Sequence, residues 1–325
     1  MERTDRTTGE GGRVPGDAPG RLNGVEGAVA ALKAGELLIL PTETVYGLAA
    51  DAGNAEAVAR IFEAKGRPRF NPLISHVADA VAAERIAVFD DAARRLAEAF
   101  WPGPLTLVAP CRDTIAVSDL ARAGLDSIAV RVPGHVRARA VLDAFGGPVV
   151  APSANRSGRP SPTTFADAMD ETGGFASAAL DGGPCAVGVE STVVSVLGGR
   201  VSLLRPGSVT REEIEALVGP LDEAGEGHRS PGRLTRHYAP SAPVRLGADA
   251  GGEDEIFLGF GPGVGSGRWS LSPSGDLREA AANLFRLLRA ADREKPAGIA
   301  VADIPLVGLG EAINDRLKRA AGFVG

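Results

Sequence analysis

Short apolar runs alternate with segments of helical periodicity along most of the chain. Residues 37–40 form a continuous apolar run, which is typical of a strand buried on both faces of a sheet. Residues 55–64 place Val58, Ile61 and Phe62 on one helical face and end before Gly66, which suits a helix C-cap. The alternation is interrupted at residues 219–233, which are polar and rich in Gly and Pro. Such a stretch is typical of a linker, so the sequence predicts two α/β units.

The first unit is predicted to hold a mixed sheet. A tight Leu197-Gly-Gly-Arg200 connection favours an antiparallel hairpin, whereas the helices between other strands favour parallel pairs. The other expected strands are residues 73–77, 105–109, 127–132, 149–151, 192–197 and 201–204, and the other expected helices are 25–34, 91–100, 136–145, 165–172 and 211–218. After the linker, residues 256–260, 277–290, 299–302 and 311–321 alternate strand and helix, which predicts a small parallel sheet.

Composition excludes several classes of protein. The formal net charge is −6, from 35 basic and 41 acidic residues, which argues against a protein that coats nucleic acid. Cys111 and Cys185 stand alone and form no CxxC pair, so a reducing cytoplasm is expected. No apolar run approaches the ~20 residues of a membrane span. Residues 1–21 lack the apolar core of a signal peptide and are expected to be a disordered tail.

Three stretches concentrate polar groups after predicted strands. Residues 41–47 (PTETVYG) follow the first buried strand, where open α/β sheets usually bind ligands. Residues 65–72 (KGRPRFNP) place Lys65, Arg67 and Asn71 on a loop stiffened by Gly and Pro, and cations on a rigid loop suit a polyphosphate. Residues 151–161 (APSANRSGRPS) bring hydroxyls, an amide and two arginines onto a third stiff loop.

Each stretch also has a structural interpretation. The first is an ordinary strand-to-helix turn, and Lys65 complements the dipole at a helix C-terminus, although that does not explain Arg67 or Asn71 beyond the glycine. The third resembles the many Ser/Asn/Gly loops that bind nothing. The four histidines lack metal-ligand spacing, and residues 259–267 do not fit GxGxxG and suit a plain turn better than a phosphate loop.

The stretches PTETVYGL, KGRPRFNPLISHV, SIAVRVP, APSANRSGRPSPTT, GVESTVV and LLRPG occur in the order and spacing of the YrdC/Sua5 family, the threonylcarbamoyl-AMP synthases. Residues 230–240 and 308–321 resemble the linker and the end of the second domain in the longer members. The resemblance implies a YrdC-like twisted mixed sheet with flanking helices, plus a smaller, Rossmann-like α/β domain. It divides the chain into a catalytic domain at 22–210, a helix end and lid-forming linker at 211–240, and a C-terminal domain at 241–325.

The family makes threonylcarbamoyl-AMP and pyrophosphate from L-threonine, bicarbonate and ATP, for N6-threonylcarbamoyladenosine at tRNA position 37. The resemblance therefore implies an enzyme with Mg²⁺ held through the ATP phosphates, no metal ligands from side chains, and no membrane partner. The implied acceptor of the product is the tRNA threonylcarbamoyl-transferase machinery, and weak contact with tRNA itself is a further expectation. Positioning and charge neutralisation dominate such a reaction, so a missing covalent nucleophile is no objection.

The resemblance also assigns residues. Lys65 and Arg67 are expected at the triphosphate as catalytic groups, and Arg131 at the carboxylate of threonine. The implied ATP site comprises Arg67, Asn71, Ser127, Ser153, Asn155, Ser161, Arg205 and Tyr238, and the implied threonine site comprises Thr44, His76, Arg131, Ala151 (through its backbone) and Ser191.

Some of these residues have structural alternatives. Arg131 is otherwise a surface charge at a strand end, His76 a half-buried imidazole with satisfied hydrogen bonds, and Ser127 a strand serine without a function. Arg233-Leu-Thr235 replaces the Met, Lys and Tyr that relatives often carry in the linker, so the packing of a lid is not specified.

Two other functions fit parts of the pattern. An RNA-binding module of YrdC fold without synthase activity is the first, because the family acts upstream of tRNA. The second is a carbamoyl-phosphate-using domain of a hydrogenase maturation protein. Those proteins carry Cys-rich zinc segments, and two cysteines exclude this alternative.

Overall fold

The computed structural model describes residues 24–68, 70–223, 237–265 and 267–322. Within them the helices are α1 Gly24–Lys33, α2 Ala55–Lys65, α3 Ala80–Ile86, α4 Asp91–Phe100, α5 Asp119–Arg122, α6 Val136–Phe145, α7 Phe165–Thr172, α8 Arg211–Val218, α9 Leu277–Arg293 and α10 Leu309–Ala320. The strands are β1 Leu38–Leu40, β2 Gly47–Asp51, β3 Ile74–His76, β4 Leu105–Pro110, β5 Ser127–Arg131, β6 Val149–Val150, β7 Ala178–Ala179, β8 Thr192–Ser195, β9 Ser202–Arg205, β10 Val244–Arg245, β11 Glu255–Phe260, β12 Ser270–Ser272 and β13 Gly298–Val301.

The first unit is built on a nine-stranded sheet in the order β7-β1-β2-β6-β3-β5-β4-β8-β9. Its strands pair in both senses: β3 and β5 are parallel, whereas β4 and β5 are antiparallel. Strands β8 and β9 form the expected antiparallel hairpin, with Gly198 and Gly199 at φ 65° and 71°. Left-handed backbone of this kind costs glycine little, which explains the Gly-Gly pair. The prediction of a mixed sheet is confirmed.

Helices cover both faces of this sheet. Leu37 and Ile39 belong to a core with Val58, Ile61 and Phe62 of α2, and the intervening Leu38 and Leu40 pack with α1 and α6 on the opposite face. Successive strand residues point to opposite faces, so a strand between two helical layers must be apolar throughout. The segment at residues 37–40 is therefore buried on both faces of the sheet, as its continuous apolar run predicts.

The second unit is a four-stranded sheet in the order β10-β13-β11-β12 whose pairs are all parallel, as expected. Its core includes Leu258, Phe285 and Ile299. The same apolar cluster contains Val45, Val189 and Tyr238, which come from the first unit and from the end of the linker. The two units thus share a core at the place where the polar loops of the first unit meet. None of the described helices is long and apolar enough to cross a membrane.

The interpretation of residues 41–47 as a strand-to-helix turn is wrong. This segment connects β1 to β2, which pair antiparallel, and α2 begins only after β2. Strand β2 (GLAAD) consists of small residues with weak strand preference, so its burial in the sheet decides its conformation rather than its sequence. The expected tail at 1–21 and residues 224–236 of the linker lie outside the described residues.

Candidate active site

A cavity of about 50 Å³ lies where the polar loops of the first unit face the segment that precedes the second unit. Nine of the residues predicted for ligand binding line it: Thr44, Arg67, His76, Arg131, Ala151, Ser153, Ser191, Arg205 and Tyr238. These residues come from seven separate parts of the chain, and the fold brings them together. The structure thus collects most of the predicted site around one space.

One end of the cavity is set by the register of two neighbouring strands. His76 ends β3 and Arg131 ends β5, and the two residues are directly paired in the parallel ladder. Arg131 is 3 % exposed, which removes the alternative that it is a surface charge. Its Nε donates to the Gly103 carbonyl at 3.1 Å and its Nη1 to the Thr44 hydroxyl at 3.0 Å.

Glu43 is the counter-ion of Arg131. Nη2 of Arg131 donates to Oε1 of Glu43, and the backbone N–H of Gly134 donates to Oε2 at 3.0 Å. Burial alone would raise the pKa of Glu43, but the Arg131 charge and these hydrogen bonds hold that pKa below its usual range. Glu43 therefore stays ionised and fixes the guanidinium of Arg131 at the cavity wall.

The His76 imidazole is buried beside Arg131. Its Nδ1 lies 3.2 Å from the Ile74 carbonyl, and burial together with the Arg131 charge lowers its pKa to about 3. The ring is consequently neutral at physiological pH. His76 both lines the cavity and has a hydrogen-bond partner, so its position fits the functional and the structural interpretation equally.

Another part of the cavity wall begins at the C-terminus of α2. Asn54 caps the start of this helix, accepting from the N–H groups of Glu56 and Ala57, and Gly66 ends it with φ 59°. The sharp end turns Arg67 into the cavity wall, where Nη2 donates to the Pro72 carbonyl at 3.2 Å. The Arg67 Nε is buried and has no hydrogen-bond partner among the described residues. Burial lowers the pKa of Arg67 to about 10, so the guanidinium remains charged near neutrality.

Lys65 lies behind this wall rather than in it. Its ammonium donates to the carbonyls of Ser153 and Asn155, which ties the end of α2 to the loop after β6. The side chain is 3 % exposed, and burial followed by the nearby Arg67 charge lowers its pKa well below the ordinary value.

Arg205 and Ser191 form a second cationic wall. Nη2 of Arg205 donates to the Ser191 carbonyl at 2.9 Å and to its hydroxyl at 3.1 Å. Thr106 lies 2.8 Å from the same hydroxyl, so the Ser191 side chain is held from two sides. A buried arginine fixed in this way presents a rigid positive charge to the cavity.

Tyr238 and His237 close the cavity from the linker side. Tyr238 is 1 % exposed and has φ 62°, a left-handed conformation that is unusual for a residue other than glycine. Its ring packs on Phe285 of α9 at 5.3 Å between centroids, and His237 packs edge-on against it at 4.0 Å. The second unit therefore holds this part of the wall in place.

Five of the predicted residues do not line the cavity. Ser161 donates to Glu190, a residue of the wall, and Asn155 uses its amide nitrogen on two backbone carbonyls of its own loop. The buried Oδ1 atoms of Asn71 and Asn155 have no partner among the described residues. Ser127 begins β5, at the opposite end of the strand from Arg131. Together with Lys65 these residues support the loops or stand beside them.

Sequence reasoning missed the acidic residues of the site and His237. Glu190 stands inside the GVESTVV stretch and lines the cavity. Nothing in the sequence indicated that a carboxylate belongs beside residues expected to bind phosphate. The counter-ion of Glu190 is Arg316, more than a hundred residues later, at 2.8 Å. The pairing of Glu190 with Arg316 does not follow from spacing in the sequence. The described residues include no cluster of three or more His, Cys, Asp or Glu side chains placed to hold a metal ion.

Comparisons with known proteins identify the family. Residues 30–207 match the Sua5/YciO/YrdC family model, described as "Telomere recombination", and residues 209–322 match "Threonylcarbamoyl-AMP synthase, C-terminal domain". The chain is 40% identical over 321 residues to the threonylcarbamoyl-AMP synthase of Bacillus subtilis, covering 91% of this chain and 92% of that protein. It is 39% identical over 317 residues to the Pyrococcus abyssi protein of the same name, covering 90% and 92%.

A solved structure is similar over nearly the whole fold. The crystal structure of P. abyssi Sua5 complexed with L-threonine superposes with a TM-score of 0.84 at 36% identity. The match covers 93% of this chain and 97% of that one. The fold of both units is therefore shared with that protein.

Proposed function

Because this chain belongs to the threonylcarbamoyl-AMP synthase family, an enzyme family, we propose that its cavity joins L-threonine, bicarbonate and ATP into threonylcarbamoyl-AMP and pyrophosphate. The observation that carries this proposal is the convergence of Arg67, Arg131 and Arg205 on one cavity. The reaction brings together a carboxylate, a carbamate and a triphosphate, and buried arginines neutralise such anions well. The same family membership favours the synthase over an RNA-binding module without activity.

Threonine binds at the Arg131 end in this proposal. Arg131 pairs with the carboxylate of the substrate, while Thr44, Ser191 and the Ala151 backbone surround the rest of the amino acid. Glu43 keeps the guanidinium oriented, and the neutral His76 adds no competing charge. The relative from P. abyssi, crystallised with L-threonine, supports an amino-acid site in this fold.

ATP binds at the Arg67 end. Arg67 and Arg205 face the triphosphate, and Ser153 and Tyr238 line the nucleotide site. Lys65, Asn71 and Asn155 do not line the cavity, and their assignment to this site stays a prediction. The assignments of Ser127 and Ser161 stay predictions, with Ser161 acting through Glu190. A cavity of about 50 Å³ is smaller than the roughly 300–1,000 Å³ of ligand pockets, so the proposal includes a movement of the Tyr238 segment when ATP enters.

The reaction follows from this placement. The threonine amine attacks the carbon of bicarbonate or CO₂, and the N–H proton leaves with the water or to solvent as the carbamate forms. A carbamate oxygen then attacks the α-phosphorus in line, the bond to the β-phosphate oxygen breaks, and pyrophosphate departs. The arginines stabilise the charge that builds on the phosphate oxygens, and closure by Tyr238 keeps water from the mixed anhydride.

Mg²⁺ is expected with ATP and supplies charge neutralisation on the phosphates when bound. Glu190 is engaged by Ser161 and Arg316, which fits an ion held by the phosphates rather than by a side-chain cage. The family division suggests residues 22–210 as the catalytic domain, 211–240 as the lid and 241–325 as the C-terminal domain. We place the enzyme in the cytoplasm, where free thiols such as Cys111 and Cys185 persist, with a tRNA threonylcarbamoyl-transferase as the acceptor of its product.

The test is a product balance with the full-length protein, ATP, Mg²⁺, ¹⁴C-bicarbonate and L-threonine. The proposal requires one pyrophosphate and one ¹⁴C-labelled threonylcarbamoyl-AMP for each ATP consumed, and neither without threonine. Pyrophosphate release that is independent of threonine, or adenylate without ¹⁴C, would contradict it.

A further inference from the structure

One cation of the C-terminal unit reaches the wall of the cavity from behind. Arg316 of α10 is 0 % exposed, and its Nε donates to Oε2 of Glu190 at 2.8 Å. Its guanidinium carbon lies 5.3 Å from the centroid of the Tyr238 ring. Glu190 and Tyr238 both line the cavity, whereas Arg316 does not. A single side chain of the second unit thus contacts two wall residues that belong to other parts of the chain.

The charge of Glu190 gives this contact a consequence. Glu190 is the one carboxylate among the described residues that line the cavity, and it faces the arginines proposed to hold the triphosphate. Burial would raise its pKa, but the Arg316 charge and then the Arg205 charge keep that pKa below its usual range. An ionised carboxylate without Arg316 would repel the triphosphate and compete for Arg205.

Arg316 also fixes the geometry around Glu190. The other carboxylate oxygen of Glu190 accepts from the Ser161 hydroxyl, so the three side chains form one buried line from α10 to the loop after β6. Asp315 accepts from Nη1 of Arg316 at 2.7 Å and orients the guanidinium from its other side. These hydrogen bonds hold the side chains in one arrangement, and Nη2 of Arg316 has no hydrogen-bond partner among the described residues.

We propose that Arg316 is a positioning residue for ATP, which neutralises Glu190 and holds Ser161 and Tyr238 in their places. This inference rests on the proposed assignment of the nucleotide end of the cavity. It makes the C-terminal unit a part of the nucleotide site rather than an appendage. Arg316 acts through Glu190 and Tyr238 and leaves the threonine end untouched.

A second ion pair between the units serves as a matched control. Arg211 of α8 donates to Glu311 of α10 at 2.7 Å, and both side chains are partly exposed. Neither residue lines the cavity. If Arg316 only holds the two units together, loss of Arg211 should weaken ATP binding in a similar way.

The experiment compares full-length Arg316→Met, Arg316→Lys, Arg211→Met and the double variant Arg316→Met/Glu190→Gln. Dissociation constants for MgATP come from calorimetry, and KM values for ATP and threonine come from pyrophosphate release. Arg316→Met should weaken ATP binding about tenfold or more, because a buried carboxylate is left unpaired, with threonine KM within about threefold of wild type. Arg316→Lys keeps the charge but not the Nε–H donor, so its dissociation constant for MgATP should lie between those of wild type and Arg316→Met.

The double variant is the decisive arm. Since Glu190→Gln removes the charge that Arg316 neutralises, it should restore part of the ATP binding lost in Arg316→Met, a coupling that independent sites do not show. Circular dichroism checks folding, and the double variant leaves no Glu190 charge without its counter-ion even if Arg316→Met unfolds. Equal losses in Arg211→Met and Arg316→Met, an equal rise of both KM values, or no rescue in the double variant would overturn the proposal.

Failure of the proposed function has a different signature. If wild type released no threonine-dependent pyrophosphate, the reaction assignment would be wrong, but the calorimetric ATP arm would still decide the role of Arg316. If wild type is active and Arg316→Met binds ATP normally, only the present inference fails.

Discussion

The two ends of the cavity are built in different ways. The Arg131 end is set mainly by one sheet, because His76 and Arg131 are register partners on adjacent parallel strands. The Arg67 end is assembled from the terminus of α2, the Glu190 loop, the segment with Tyr238, and Arg316 behind it. The first end needs only the first unit to fold, whereas the second also needs the units to dock. Mutations should therefore separate into two classes by which substrate they affect.

The largest effect is expected for Arg67→Met at the assembled end. Loss of a preorganised cation at the triphosphate should lower kcat/KM for ATP by about 1,000-fold. Pyrophosphate release at varied ATP and threonine measures this loss, and circular dichroism checks the fold. Arg60→Met, on the same helix but in an exposed ion pair with Glu36, is the control and should stay near wild type. Near-normal turnover in folded Arg67→Met would remove Arg67 from the phosphate site.

Arg131→Met tests the end that the sheet builds. The lost charge-assisted hydrogen bonds to the threonine carboxylate should raise the KM for threonine by about 100-fold and leave the KM for ATP nearly unchanged. Because Glu43 is then left without its counter-ion, Arg131→Met/Glu43→Gln is measured beside it. An equal rise of both KM values in the folded double variant would show that the two ends are not separate.

The features that the sequence predicted are those that a local pattern of residues specifies. Residues such as Thr44, Arg67 and Arg131 stand in stretches that match the family in order and spacing, and the structure collects them on one cavity. The continuous apolar run at 37–40 and the alternation after residue 255 likewise predicted strands between helical layers. In these cases a local pattern carries the information.

Contacts between distant segments could not be predicted in this way. The pairing of Glu190 with Arg316 joins residues more than a hundred positions apart, and nothing near either residue signals it. Strand β2 was missed since its small residues have weak strand preference and only burial in the sheet favours that conformation. Lys65 was expected to face phosphate, and its contacts with two carbonyls depend on where the loop after β6 folds.

A moderate effect is expected for Tyr238→Ala. The lost ring opens the wall between the units, so the KM for ATP should rise about tenfold, comparable to the cost of removing a buried aromatic anchor. Tyr238→Phe keeps the packing on Phe285 and should stay within about threefold of wild type. Steady-state kinetics with varied ATP measures both variants. A tenfold rise in both variants would show that the hydroxyl rather than the ring is needed, and no rise in either would contradict closure by Tyr238.

The smallest expected effect is a change of the free energy of unfolding with pH, to which a histidine of each end contributes. His76 and His237 each have a pKa lowered from 6.5 to about 3, chiefly by burial. Below pH 6.5 both histidines are protonated in the unfolded chain but stay neutral in the folded protein. The free energy of unfolding therefore falls as pH decreases. Between pH 7 and 5.5 each histidine should contribute about 1 kcal/mol to this fall.

Urea unfolding of wild type, His76→Gln and His237→Gln at pH 7 and 5.5 measures that contribution. Each variant should lose less stability than wild type between the two pH values, whatever its absolute stability. A change with pH that is the same in all three proteins would show that these imidazoles are protonated in the folded state.

The separation of the two ends is tested most directly by calorimetric titration of L-threonine, without ATP, into wild type, Arg131→Met/Glu43→Gln and Arg67→Met. We expect wild type and Arg67→Met to bind threonine with dissociation constants within about threefold of each other, and the Arg131 double variant to bind it about 100-fold more weakly. Loss of threonine binding in folded Arg67→Met, or normal binding in the Arg131 double variant, would contradict it.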